Sequence, residues 1–93
     1  MLIEAIEDMD PIQARAARYA LRFTAKDVAA GSGVSDFTVK RFEKGDDNAS
    51  QKTIKAMKDF YHSCGVLFTE GDQGCGVIFK PNIEIMPARH HRK

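Results

Sequence analysis

Residues 24–45 read TAKDVAAGSGVSDFTVKRFEKG, and their punctuation is that of two short helices across a tight turn. Thr24 is an N-cap residue for a helix that begins at Ala25 and carries Val28 and Ala29 on its apolar side. Gly31, Ser32 and Gly33 break that helix, and Ser35 is a second N-cap only eleven residues after the first. Val39 and Phe42, three apart, give the next helix its buried side, and Gly45 stops it. Helices this short do not persist alone, because nucleation is costly and tertiary packing supplies most of their stability.

The small residues Ala29, Ala30, Gly31 and Gly33 allow the two helices to cross closely, at the steep angle of a helix-turn-helix. Such a pair buries Val28, Ala29, Val34, Val39 and Phe42. Asp36, Phe37, Thr38, Lys40 and Arg41 are left facing outward, and these flat or hydrogen-bonding side chains suit base edges and phosphates.

With these features the stretch resembles the helix-turn-helix of the phage-repressor-like (Cro/CI, XRE-type) transcriptional regulators. The shared elements are an alanine before a glycine turn, a β-branched residue in the second helix, and a Glu-x-Gly ending at Glu43-Lys44-Gly45. The resemblance covers roughly Ile12 to Cys64. It implies a mainly α, lambda-repressor-like helical DNA-binding domain over residues 11–64, acting on double-stranded DNA as a homodimer and without a cofactor. By the same resemblance Asp36, Phe37, Lys40 and Arg41 contact bases, and Thr24, Lys26, Ser35, Thr38, Lys44 and Asn48 contact the DNA backbone. One position departs from the pattern: where members often carry a glutamine that touches the backbone, at the start of the second helix, this chain has Ala25.

Ninety-three residues make one small domain, of a size that buries about 60–65% of its unfolded surface. Hydrophobic content of 43% and charged content of 29% fit a soluble globular chain, and no apolar run approaches the roughly 20 residues that span a bilayer. The acidic start, MLIEAIEDMD, has neither the basic region nor the cleavage site of a signal peptide, so a cytoplasmic location is expected. The net charge of +1 is unevenly spread: residues 1–10 hold four acids and no base, whereas residues 11–62 hold ten bases against six acids. The helical region is therefore modestly basic, and an expectation of DNA binding rests mainly on the motif.

Residues 1–10 form an N-terminal extension in which Leu2, Ile3, Ile6 and Met9 have the spacing of a short amphipathic helix. Asp10 and Pro11 then open the first core helix, whose expected buried stripe is Ile12, Ala16, Tyr19, Ala20 and Phe23. Arg15, Arg18 and Arg22 fall opposite, as a solvated face or as phosphate contacts. Asp46-Asp47-Asn48 makes a loop in which the aspartates would repel phosphates. Ser50 caps a helix from Gln51 to about Cys64, with Ile54, Met57, Tyr61 and Cys64 as its seam. Gly65 ends it.

From Gly65 the period becomes extended. Val66–Thr69 and Val77–Lys80 flank a glycine-rich loop, Glu70–Gly76, as a β-hairpin, and 82–86 alternates as a third strand. Residues 65–86 are thus a β-hairpin element, expected to pack on the helices or on a second subunit, because an isolated hairpin is marginal in water. The basic residues 87–93 are a tail, either disordered or an arm on DNA.

Cys64 and Cys75 match no closed zinc site with His62, His90 or His91, so no metal is expected. The chain carries no phosphate-cradling loop and no nucleophile elbow, which argues against an enzyme. The alternative to a DNA-binding regulator is a protein-interaction module, antitoxin-like or anti-activator, with weak or partner-dependent DNA binding. Ala25, the acidic loop and the low net charge favour that alternative.

Overall fold

The computed structural model describes residues 9–46 and 48–80, and the backbone of 3–5. The chain runs β1 (Ile3–Ala5), α1 (Pro11–Ala20), α2 (Ala25–Ser32), α3 (Asp36–Glu43), α4 (Gln51–Ser63), β2 (Val66–Gly71) and β3 (Gly74–Phe79). The domain is mainly helical, with an antiparallel sheet of order β1-β2-β3.

Each helix starts where its cap stands. Thr24 Oγ1 accepts from the Asp27 amide at 3.1 Å, and Asp27 Oδ2 accepts in return from the Thr24 amide at 2.8 Å, a reciprocal capping box. Ser35 and Ser50 cap α3 and α4 in the same way, each accepting at 3.1 Å from the amide three residues on. Gly65, with φ of 93°, turns the chain out of α4 into β2.

The core gathers Leu21, Val28, Val39, Phe42, Met57, Tyr61, Val66 and Phe68 beneath the helices and over the sheet. Tyr61 meets Phe68 edge to face, with ring centroids 5.8 Å apart, which joins α4 to β2. Tyr61 Oη is buried and finds no hydrogen-bond partner among the described residues, and burial pushes its phenol well above the ordinary value.

The N-terminal extension is not an amphipathic helix where it is described: Ile3, Glu4 and Ala5 pair antiparallel with Gly71, Glu70 and Thr69. An unpaired edge of β2 offers amides and carbonyls that a short extended segment satisfies, and that pairing outweighs a weak helical period.

The α1 stripe is rotated from the expected one. Gln13, Ala14, Ala17 and Leu21 are buried, while Ile12 and Tyr19 are 59% and 64% exposed. Gln13 decides the phase. Its Oε1 accepts from the Asp10 amide at 2.9 Å, and its Nε2 donates to the carbonyls of Thr69 and Gly76 at 3.0 and 2.9 Å. A buried amide that satisfies both of its ends ties α1 to the sheet, and the small alanines beneath it permit close approach.

Arg18 is neither a solvated nor a phosphate-facing residue. Its Nε and Nη2 donate to Glu43 Oε2 and Oε1, both at 2.8 Å, and Nη1 donates to the Phe23 carbonyl at 3.2 Å. The Glu43 side chain is 5% exposed and that of Arg18 13%, so this is a largely buried, bidentate ion pair between α1 and α3. The hydrogen bond to Glu43 raises the Arg18 pKa above its ordinary value, so the guanidinium keeps its charge.

The hairpin is tighter than expected. Its strands extend to Gly71 and Gly74, leaving a two-residue loop, Asp72-Gln73, with Gly74 at φ of 122°. Residues 70, 71, 74, 75 and 76, expected in a loop, belong to the strands. The third strand expected at 82–86 and the tail 87–93 lie outside the described residues.

Removing one member of the ion pair leaves a charge without its partner in the protein interior. Glu43→Ala should therefore lower the unfolding free energy in urea by about 3 kcal/mol. The double replacement Arg18→Met, Glu43→Leu should recover most of that loss; a single-variant effect below about 1 kcal/mol would mean that solvent already screens the pair.

Candidate nucleic-acid interface

The surface of interest is the outer face of α3. Packing Val39, Phe42 and Glu43 inward, at steps of three and four residues, sets the helix's rotation, so Phe37, Lys40 and Arg41 emerge on the other side. Phe37 is 63% exposed, an unusual state for a phenylalanine in so small a domain. Arg41 lies one turn further on, with its guanidinium carbon 5.3 Å from the Phe37 ring centroid. Asp36 occupies the first turn, and Lys40 and Arg41 the last, an order that suits the helix dipole.

Arg41 is also engaged from the loop that follows α3. Its Nε donates to Asp46 Oδ2 at 2.6 Å, and Nη2 forms an ion pair with the same oxygen. Asp46 Oδ1 accepts from the Asn48 amide at 2.9 Å. The Asn48 amide, and after it Arg41, hold the Asp46 carboxyl below its ordinary range, so it is ionised at neutral pH. Its share of the loop's order is present above the ordinary carboxylate range and is lost only as pH falls through the lowered value. Thr38, Arg41, Phe42, Asp46, Asn48, Ala49, Ser50 and Thr53 together line an open hollow of about 230 Å³ beside this pair.

The structure thus brings Phe37, Thr38, Arg41 and Asn48 into one neighbourhood, with Lys40 exposed beside them. Of the remaining expected backbone contacts, Thr24 and Ser35 use their hydroxyl oxygens as caps, Lys26 is exposed in the first turn of α2, and Lys44 is the exposed C-cap residue of α3. Ala25 is 5% exposed and belongs to the core.

Two residues important to this face were not among the expected site residues. Glu43 falls four residues after Val39, on the buried side of α3, and that spacing marks it as an inward carboxylate in need of a partner. Asp46, expected only to repel phosphates, meets the arginine that projects from α3. No spacing rule gives that contact, because it depends on how the chain turns at Lys44 and Gly45.

Among the described residues no group of three or more histidine, cysteine, aspartate or glutamate side chains is placed to hold a metal ion, and no helix is long and apolar enough to cross a membrane. Neither Cys64, partly covered, nor Cys75, exposed on β3, forms a disulfide among the described residues.

The close packing of α2 on α4 depends on Gly31, which stands inside α2 and not in the turn. Helix α2 runs through Ser32, and Gly33 alone, at φ of 82°, makes the left-handed cap. A Cβ at residue 31 would stand 2.1 Å from Phe60 Cε1, on a ring already packed at a tilt against Phe23 and Tyr61. Gly31→Ala should therefore lower stability by about 1–3 kcal/mol by overpacking, despite alanine's better helix propensity. A rise in melting temperature would contradict this packing. In comparison with known proteins, no protein-family model matches the chain and no curated protein matches its sequence.

Proposed function

We propose that this chain is a small sequence-specific DNA-binding transcriptional regulator whose helix α3 enters the major groove, acting as a homodimer on a two-fold symmetric operator. The observation that carries this reading is the pairing of a firmly held helix with an outward face of exposed aromatic and cationic side chains. Caps at both ends of α2, the Ser35 cap and the Arg18–Glu43 pair hold α3, while Phe37, Lys40 and Arg41 project from it. Arginine and lysine donate to guanine acceptors or phosphates, and an exposed aromatic ring suits a thymine methyl. Two such helices related by a dyad would reach successive major grooves about 34 Å apart.

The homodimer draws support from the sheet. In the order β1-β2-β3 the strand β3 has one neighbour among the described strands, and it carries Ile78 and Phe79, 45% and 37% exposed. Pairing across that edge with a second copy would cover both residues and remove an aggregation hazard.

A second reading has its own observation. Ile12, Ala16 and Tyr19 recur at steps of four and three along the exposed side of α1, an apolar stripe of the kind that a protein partner covers. On that reading the domain is an interaction module, antitoxin-like or anti-activator, and DNA binding is weak or depends on the partner.

Selection of DNA sites from a random pool by the purified protein, followed by footprinting at about 150 mM salt, separates the two. The regulator reading predicts a symmetric footprint and a preference of roughly a thousandfold over unrelated DNA. Weak binding that is equal on all sequences and vanishes with salt would favour the interaction module. Light scattering at tens of micromolar should give a dimer mass; a monomer both free and on the selected DNA would dismiss the dimer.

A further inference from the structure

The Arg41 guanidinium is held on two sides before any ligand arrives. Asp46 Oδ2 takes the Nε and Nη2 edge, and Asp46 is itself oriented by the Asn48 amide through its other oxygen. The Phe37 ring stands 5.3 Å away, within cation–π range. A guanidinium has five N–H donors in a rigid fork. With one edge against Asp46, the fork formed by Nη1 and the outer hydrogen of Nη2 remains directed away from the carboxylate. That fork matches the O6 and N7 acceptors of guanine.

The charge balance separates a base from a phosphate as the target. Attraction to the DNA backbone scales with net positive charge. Arg41 and Asp46 together carry none, so the pair is a poor phosphate anchor, yet its hydrogen-bonding fork is intact. An arginine fixed in this way also loses less side-chain freedom on binding than an isolated one.

We infer that Asp46 is a positioning residue that aims Arg41 at a guanine, and that Phe37 reads a thymine methyl on the neighbouring base pair. The closeness of the two groups suits adjoining base pairs: the ring and the guanidinium carbon are 5.3 Å apart, and stacked bases follow one another at about 3.4 Å along a strand. The inference rests on the DNA-binding reading of α3 and adds to it a half-site in which thymine adjoins guanine.

The test compares Asp46→Asn with the wild-type protein on the selected site, on the same site with that guanine replaced by 7-deazaguanine, which lacks the N7 acceptor, and on unrelated DNA. Removing an acid near DNA strengthens binding to every sequence if charge alone matters. Positioning predicts opposite signs: binding to the selected site weakens about tenfold, sensitivity to the 7-deaza change disappears, and binding to unrelated DNA stays equal or tightens. Tighter binding to all three DNAs would overturn the positioning role while leaving the DNA-binding reading intact. No preference of the wild-type protein for any DNA would overturn both. Arg41→Lys gives a second handle that leaves the Asp46–Asn48 turn untouched: it keeps the charge but not the fork, so it should retain binding to unrelated DNA and lose the guanine preference. Retention of that preference by the lysine variant would also overturn the inference.

Discussion

The bidentate pair between Arg18 and Glu43 is the constraint on which the arrangement of this domain depends. It is the polar link between the first helix and the third, and its fork-on-fork geometry admits one relative orientation of the two. The same guanidinium donates to the Phe23 carbonyl and so ties down the chain just before α2 begins. A buried ion pair is weak evidence for stability in itself, because desolvation offsets much of the attraction. Its contribution lies in orientation: Glu43 pulled inward fixes the rotation of α3, and that rotation leaves Phe37, Lys40 and Arg41 on the surface.

A second polar anchor acts at the other end of α1. Gln13 spans helix and sheet with one amide group, donating to carbonyls of both β2 and β3. These two anchors select which side of α1 faces inward, against the claim of larger apolar residues. Burying Ile12 and Tyr19 would remove more apolar surface from water, but turning α1 by roughly a quarter would strand the Gln13 amide and the Arg18 guanidinium without their partners. The apolar stripe left outside is the consequence, and it is the feature that keeps a protein partner in view.

Much of this fold was legible in the sequence, because capping chemistry is local. Thr24, Ser35 and Ser50 mark three helix starts, Gly65 ends the last helix, and the change of period after it announces the hairpin. What could not be read depends on contacts distant in sequence. The phase of α1 hinges on carbonyls 56 and 63 residues from Gln13, and β1 exists because β2 has an edge to offer. The outward placement of the α3 residues followed from the apolar spacing of Val39 and Phe42. The engagement of Arg41 by Asp46 did not, since a reversing loop brings that carboxylate back alongside the helix it follows. The sequence marks Gly31 as a helix breaker and as a small residue for the crossing of α2 and α3, whereas it stands inside α2 and its close neighbour is Phe60 of α4.

The most direct test of the account is amide chemical-shift mapping of the isotope-labelled protein titrated with its selected DNA at physiological salt. The largest changes should fall on residues 35–44 and on the Arg41 guanidinium resonance, with the amides of Ile12, Ala16 and Tyr19 little moved. Changes centred on that stripe of α1, with α3 silent, would contradict it.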